Sequence, residues 1–143
     1  MIEPEIPGNT GSIGRTCLAV GARLHLVHPL GFDIDEKAVR RAGLDYWKHV
    51  DLVEHKNYQS FLTNEKISQQ KVYYFSAHAK KSVLEASFTS GAYLIFGKES
   101  EGLSQDILDP ELTYKLPIHS PHIRSLNLAS AVTAISYLAL KSL

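Results

Sequence analysis

The sequence lacks several features that would assign a protein to a class at once. Its 143 residues contain a single cysteine, Cys17, which excludes an internal disulfide and fits a reducing cytosol. Basic and acidic residues number 15 each, so no net charge draws the chain toward nucleic acid or an anionic membrane. It has no run of about twenty apolar residues, no signal peptide and no internal repeat. We therefore expect one cytoplasmic domain with its own hydrophobic core.

Short apolar runs alternate with helical patterns along the chain. Prolines and glycines predict a loop over 3–11. Strands are predicted over 23–28, 50–53, 72–75, 93–96 and 114–118. Helices are predicted over 12–20, 35–42 and 58–64, and two more are predicted to begin at Gln105 and at Ser125. This order indicates an α/β fold, a mostly parallel sheet flanked by helices.

Three loops follow predicted strands, over 75–78, 97–102 and 116–125. Ligands of such sheets bind at the carboxyl ends of the strands, so the three loops could converge on one pocket. In the last loop, Ser125 and Asn127 could hold a polar ligand where a helix begins. The alternative is a core helix with Ser125 as its N-cap.

Several common site motifs are missing. The spacing of Gly8, Gly11 and Gly14 is not that of a dinucleotide fingerprint, and no strand precedes them. The 97–102 loop has neither the P-loop order nor the elbow of a serine hydrolase. His119 and His122 share no helix face and have no cysteine or carboxylate cluster nearby in sequence. The remaining histidines are interpreted as surface or strand residues, so we predict no metal site.

A basic and aromatic cluster occupies the region between residues 37 and 48. Its members are Lys37, Arg40, Arg41, Tyr46, Trp47 and Lys48. Such a cluster could bind a phosphate backbone and stack a base. A solvated helix face explains the same residues equally well.

Four segments in order along the chain together resemble a known family. They are 3–15, 41–46 with the sequence Arg-Ala-Gly-Leu-Asp-Tyr, 94–103 and 116–128. They resemble the SPOUT-class (α/β-knot) RNA 2'-O-methyltransferases, and most closely the minimal tRNA (cytidine/uridine wobble nucleotide) 2'-O-methyltransferase subfamily.

The resemblance implies a C-terminal trefoil knot, an obligate homodimer and the cofactor S-adenosylmethionine. The positions that match cofactor contacts are Phe75, Gly97, Leu116 and Ser125. The catalytic candidates are Arg15, which would come from the partner subunit, with Asn9, Glu99, Ser125 and Asn127 around the ribose. Arg15 is either a general base or a phosphate clamp, and we favour the clamp because a guanidinium is rarely neutral. The candidates for RNA binding are Lys37, Arg40, Arg41 and Lys48.

The implied function is methylation of a ribose 2'-hydroxyl, first of all that of the tRNA wobble nucleotide. Two alternatives stay open: another RNA such as ribosomal RNA, or a knot protein that binds RNA or cofactor without turnover. Relative to the family, only Met1 and Ile2 precede the Glu3 loop, so we expect the sheet to lack its first strand. The loop before Ser125 also has one extra residue.

Overall fold

The computed structural model describes residues 1–34 and 45–143, and the helix predicted over 35–42 lies outside these residues. The α-helices of the described ranges are α1 (Pro7–Val20), α2 (Tyr58–Asn64) and α3 (Leu128–Lys141). The strands are β1 (Leu24–Val27), β2 (Leu52–His55), β3 (Val72–Phe75), β4 (Lys81–Ser82), β5 (Tyr93–Phe96) and β6 (Thr113–Lys115). No helix in these ranges has both the length and the apolar character needed to cross a membrane.

The strand pairs of the described ranges are parallel, which agrees with the predicted mostly parallel sheet. One sheet has the order β4-β6-β3-β5, and β1 pairs with β2 in a second sheet. Residues 1–3 join the two sheets. The Ile2 amide donates to the carbonyl of Phe96 at 2.8 Å, and the Glu3 amide donates to that of Val27 at 2.9 Å. The place of a first strand, between β5 and β1, is therefore held by a segment with one isolated bridge, between Ile2 and Val27.

Both faces of the sheet are covered, as its apolar strands require. In β3, the side chains of Tyr73 and Phe75 enter the core that also contains residues of α1 and α3. The alternate residues Val72 and Tyr74 enter the core beneath α2. Successive residues of a strand face opposite sides, so one short apolar run supplies both cores.

Helices α1 and α3 pack against each other through small side chains. The hydroxyls of Thr16 and Thr133 are hydrogen-bonded at 2.7 Å across this contact. A Cβ on Gly14 would lie 2.6 Å from the ring of Trp47, so only glycine lets α1 approach that ring so closely. Close packing against Trp47 therefore explains why Gly14 occurs in the interior of α1.

Three predicted helix boundaries are wrong. Helix α1 begins at Pro7, not at Ser12, because proline is well suited to the first helical position, where its missing N–H is not needed. Helix α3 begins at Leu128, and its N-cap is Asn127 instead of Ser125. No helix begins at Gln105, since residues 105–107 form a turn and Pro110 disfavours helical geometry just before it.

Some predicted bounds of strands and helices agree with the structure, and others are shifted by one or more residues. The bounds of α2, β3 and β5 are those predicted. Strand β2 lies two residues further along than predicted, β1 is shorter at both ends, and β6 ends before Pro117. The short strand β4 was not predicted, because two residues carry no detectable alternation.

Leu26→Ala should lower the free energy of unfolding by about 2–5 kcal/mol, because it leaves a cavity at a fully buried side chain of β1. The same substitution at Leu84, which is 66% exposed, should change it by less than about 0.5 kcal/mol. Urea denaturation of the two variants measures the difference. Equal losses would show that the core does not centre on β1.

Candidate functional site

A cavity of about 1010 Å³ lies at the carboxyl ends of β3, β5 and β6. Its walls come from the loops after these strands and from the first turns of α3, so the three loops converge as predicted. The rings of Phe75 and Phe96 stack at 4.7 Å in the floor, and other apolar side chains extend the wall. The site is therefore an apolar cleft with polar loops around it, as small-molecule sites usually are.

The cavity brings together most of the side chains named from the sequence. The predicted site residues that line it are Asn9, Phe75, Gly97, Glu99, Leu116, Ser125 and Asn127. Arg15 and Lys48 do not line it, and the patch residues Lys37, Arg40 and Arg41 lie outside the described residues. The structure gives positions, and the roles of these residues stay predictions.

A chain of hydrogen bonds connects three of the catalytic candidates. The Asn9 side-chain amide donates to Glu99 Oε1 at 3.2 Å, and the Asn127 amide donates to Asn9 Oδ1 at 3.0 Å. Asn127 Oδ1 in turn accepts from the backbone amides of Ala129 and Ser130 at 3.0 and 3.3 Å. Each amide thus donates on one side and accepts on the other, which fixes its orientation at the cavity wall.

Glu99 holds the entry to α1. Its carboxylate accepts from the backbone amides of Glu5 and Ile6, at 2.7 and 3.1 Å, in addition to Asn9. Backbone amides just before a helix favour a negative charge. With three protein donors on its two oxygens, Glu99 holds both the loop before α1 and the side chain of Asn9.

Two further contacts tie residues 3–5 to the loop after β5, and sequence reasoning did not find them. Glu5 accepts from both the amide and the hydroxyl of Ser100 at 2.9 Å, and Lys98 pairs with Glu3 at 3.2 Å. The hydrogen bonds from Ser100 lower the pKa of Glu5 below its usual value. The partners are 95 residues apart, so no local pattern could reveal them.

The loop after β5 is unusually tight. A Cβ on Gly97 would lie 2.1 Å from the backbone carbon of Gly102, so no other residue fits without displacing backbone. Gly102 has φ +71° and its amide donates to the carbonyl of Lys98 at 2.9 Å. The glycines therefore shape a loop that presents backbone, not side chains, to the cavity.

Arg15 stands on an exposed part of α1. Its guanidinium carbon lies 5.4 Å from the ring centroid of Tyr46, within the range of a cation–π contact. The Tyr46 hydroxyl donates to the carbonyl of Gly11, one turn before Arg15 on the same helix. The arginine is thus positioned, but not toward the cavity of its own chain.

The rim of the cavity carries positive charge. Lys115 and Arg124 line it, and among the described residues no carboxylate lies within 4 Å of either cation. The neighbouring side chains of Ile123 and Leu126 are 49% and 43% exposed. The end of β6 and the loop before α3 therefore place two cations and two exposed apolar side chains at the cavity mouth.

The sequence model of the SpoU rRNA Methylase family matches residues 1–137. The chain belongs to this family. A SpoU methyltransferase, AviRb from Streptomyces viridochromogenes, has been solved in complex with AdoMet; it is 26% identical, with a TM-score of 0.82 over 98% of this chain and 55% of that one.

Other SpoU relatives are more similar and of nearly the same length. The tRNA (cytidine(34)-2'-O)-methyltransferase of Saccharophagus degradans is 40% identical over all of this chain and 93% of its own length. The enzyme of that name from Yersinia pestis is 41% identical over all of this chain and 91% of its own. A structure solved to study 2-OH methylation of C/U34 on tRNA has a TM-score of 0.93 and 45% identity, over 99% of this chain and 91% of that chain.

Glu99→Gln should lower the free energy of unfolding by about 1–3 kcal/mol, because the amide offers one acceptor oxygen in place of two and leaves a backbone donor unpaired. Glu101→Gln is the matched control. Its side chain is 76% exposed, and its one ion pair, with Lys98 at 3.5 Å, should contribute little. Chemical denaturation compares the two variants, and equal stability would contradict the anchoring role of Glu99.

Proposed function

We propose that this protein transfers a methyl group from S-adenosylmethionine to the 2'-hydroxyl of the wobble nucleotide, cytidine or modified uridine 34, of tRNA. The observation that carries the proposal is the cavity where Asn9, Glu99 and Asn127 meet the residues that match cofactor contacts. The relatives of nearly equal length that are named for this reaction support it. Such an enzyme works in the cytoplasm, where a lone reduced cysteine is usual.

The residues present fit S-adenosylmethionine. The cavity is at the upper end of the roughly 300–1,000 Å³ typical of small-molecule sites. Its apolar floor suits a purine, and the backbone of the Gly97 loop offers donors and acceptors without bulky side chains. Phe75, Gly97, Leu116 and Ser125 would hold the cofactor, which when bound supplies an electrophilic methyl group on a sulfonium.

The chain's own contribution is alignment. Displacement at a methyl carbon needs the attacking oxygen in line with the leaving sulfur, and fixing that geometry can supply several kcal/mol of the barrier. Asn9 and Asn127 are locked by their mutual hydrogen bond, so they can bind a ribose without reorganising. Glu99 maintains Asn9 in that position, and Ser125 stands at the same wall.

The guanidinium of Arg15 binds the phosphate beside the target ribose in a bidentate manner. A guanidinium binds phosphate through two parallel hydrogen bonds, and its positive charge stabilises the oxygen as its proton leaves to solvent. Arg15 does not line the cavity of its own chain, which supports its action in the cavity of a second subunit. The active form is accordingly a homodimer.

Exposed apolar side chains support the homodimer. On α1 and α3, Leu18, Tyr137 and Leu140 are 36%, 50% and 45% exposed, more than a helix face left in water would favour. A second copy would cover them. The single domain ends in a trefoil knot, which is supported by the late strand β6 lying between β4 and β3.

The substrate RNA is held mainly through its phosphates. Lys115 and Arg124 lie at the cavity mouth, and Lys48 is exposed beyond it. Lys37, Arg40 and Arg41 complete the binding surface, close in sequence to Tyr46 and Trp47. The wobble base lies in a single-stranded loop, so no helix has to be opened and stacking can contribute.

The deciding experiment incubates the purified chain with methyl-labelled S-adenosylmethionine and either unmodified tRNA or unmodified ribosomal RNA, then maps the modified nucleoside by mass spectrometry. The proposal expects 2'-O-methylation at position 34. Label that enters ribosomal RNA but no tRNA would favour the alternative substrate. Calorimetric cofactor binding without any label would identify a non-catalytic protein.

Arg15→Lys should reduce tRNA methylation by at least about 100-fold, since lysine keeps the charge but loses the bidentate contact. Cofactor binding should be unchanged, because Arg15 contacts the phosphate of the RNA and not the cofactor. Arg23→Lys is the control, since Arg23 pairs with Asp51 at 2.8 Å. Near-normal activity of the Arg15 variant would exclude the bidentate phosphate contact.

The affinity for tRNA should fall steeply with added salt. Each phosphate contact contributes about 0.7–0.9 to the slope of log affinity against log salt. Replacing Lys37, Arg40 and Arg41 together by glutamine should therefore reduce the slope by about 2–3. Filter binding at several salt concentrations measures it, with Lys71→Gln as control. An unchanged slope in the triple variant would show that these three residues do not contact RNA phosphates.

A further inference from the structure

A second polar cluster lies outside the candidate active site. It consists of His25 on β1, His55 at the end of β2, Glu65 just after α2, and Tyr93 at the start of β5. Their side chains are mostly buried, with 12%, 1% and 18% exposure for His25, His55 and Glu65. None of the four lines the cavity described above.

Three potential ligand atoms of this cluster converge on one point. His25 Nδ1 and His55 Nε2 are 3.0 Å apart, and Glu65 Oε1 lies 3.8 and 3.7 Å from them. A circle through three atoms with these separations has a radius of about 2.0 Å, which is the length of Zn–N and Zn–O bonds. One ion at its centre would reach all three atoms.

The charges around Glu65 are unbalanced. Within the described residues, the only basic groups within 4 Å of its carboxylate are the two imidazoles. Both imidazoles are mostly buried, with 12% and 1% exposure, and burial disfavours a positive charge on a ring. Arg23 acts on Glu65 from further away and is paired with Asp51. A cation held between the three side chains would balance the charge of the Glu65 carboxylate, which is only 18% exposed.

His55 is short of partners as well. Within residues 1–34 and 45–143, its Nδ1 is buried without a hydrogen bond, and its Nε2 lies 3.0 Å from His25 Nδ1 and 3.7 Å from Glu65 Oε1. A buried polar side chain with one of two nitrogens unpaired is unusual in a folded protein. A strong interaction at Nε2 would compensate for it.

We propose that His25, His55 and Glu65 form a binding site for a divalent transition-metal ion, with Zn²⁺ as the best fit. Imidazole nitrogens and carboxylate oxygens are common ligands of Zn²⁺ in proteins, and a set of two imidazoles and one carboxylate is found in known zinc sites. A water molecule completes the tetrahedron. The ion would link β1, β2 and the residue just after α2.

Tyr93 orients the carboxylate. Its hydroxyl donates to Glu65 Oε2 at 2.8 Å, which leaves Oε1 directed at the imidazoles. Ligating carboxylates in metal sites are usually held by such a hydrogen bond. His25 and Tyr93 also line a second cavity of about 540 Å³, which gives an ion a route from solvent.

Metal binding requires a local change in the rings. Without an ion the imidazoles are nearly coplanar, 15° apart, with centroids 5.3 Å apart, and one nitrogen donates a proton to the other. For the ion to bind, the donating ring carries its proton on its other nitrogen, and each ring turns so that its lone pair points to the common centre. Rotation about the bond between Cβ and the imidazole ring has broad energy minima, so both rings can turn at little energetic cost.

The test uses the full chain, stripped with a chelator and titrated with Zn²⁺ or Co²⁺. We expect one ion per chain, a higher melting temperature and the visible absorption of tetrahedral Co²⁺. Glu65→Gln, which retains the shape of the side chain, should weaken binding by more than 100-fold. Tyr93→Phe should weaken it by about 10–100-fold, as loss of a supporting hydrogen bond does.

Two controls separate this site from surface histidines and from misfolding. The double variant His119→Gln, His122→Gln should bind Zn²⁺ as the unaltered chain does. Nitrogen NMR of the unaltered chain should show the imidazole signals of His25 and His55 shifting together as Zn²⁺ is added. This measurement does not depend on the folding of any variant. Absence of stoichiometric binding, binding lost only in the double variant, or shifts confined to other histidines would overturn the proposal.

Discussion

The hydrogen bonds from Glu99 through Asn9 to Asn127 determine how the candidate active site is built. They join the loop after β5, the first turn of α1 and the N-cap of α3, segments that are 90 and 118 residues apart in the sequence. The two bonds satisfy both ends of the Asn9 side-chain amide, which is buried in the first turn of α1. The same bonds therefore stabilise the fold and orient the amides at the cavity wall.

Close packing makes this arrangement possible. Small side chains let α1 and α3 approach until Thr16 and Thr133 touch, which brings the starts of both helices over the carboxyl edge of the sheet. Gly97 allows the loop after β5 to fold back against Gly102. Cofactor and ribose would thus meet rigid backbone and locked amides, which suits a reaction that depends on alignment more than on proton transfer.

The sequence predicted what depends on local patterns. The apolar runs of β3 and β5 and the short helix α2 were found with their bounds, because burial on both faces and a side-chain N-cap at Asn57 leave clear local signals. The sequence could not predict what depends on distant partners. Helix α1 begins earlier than its glycines suggested, where Glu99 holds the backbone just before it.

The side chains of the candidate site were named mainly through family resemblance, and spacing alone would not have found them. An N-cap role for Ser125 was one of two alternatives, yet Asn127 is the N-cap of the last helix, and its side-chain amide also donates to Asn9. The cluster of His25, His55 and Glu65 was missed entirely. Its members are isolated along the chain, and only the pairing of β1 with β2 brings the two histidines together.

The central claim is that Arg15 of each subunit acts in the active site of the partner subunit. Heterodimers that combine an Arg15→Ala subunit with an Asn127→Ser subunit test it most directly, since serine can still cap α3. Each homodimer should be inactive. The heterodimer has one site with all its groups and should methylate tRNA at about half the native rate. A heterodimer as inactive as its parents would show that Arg15 acts within its own chain and would contradict the account.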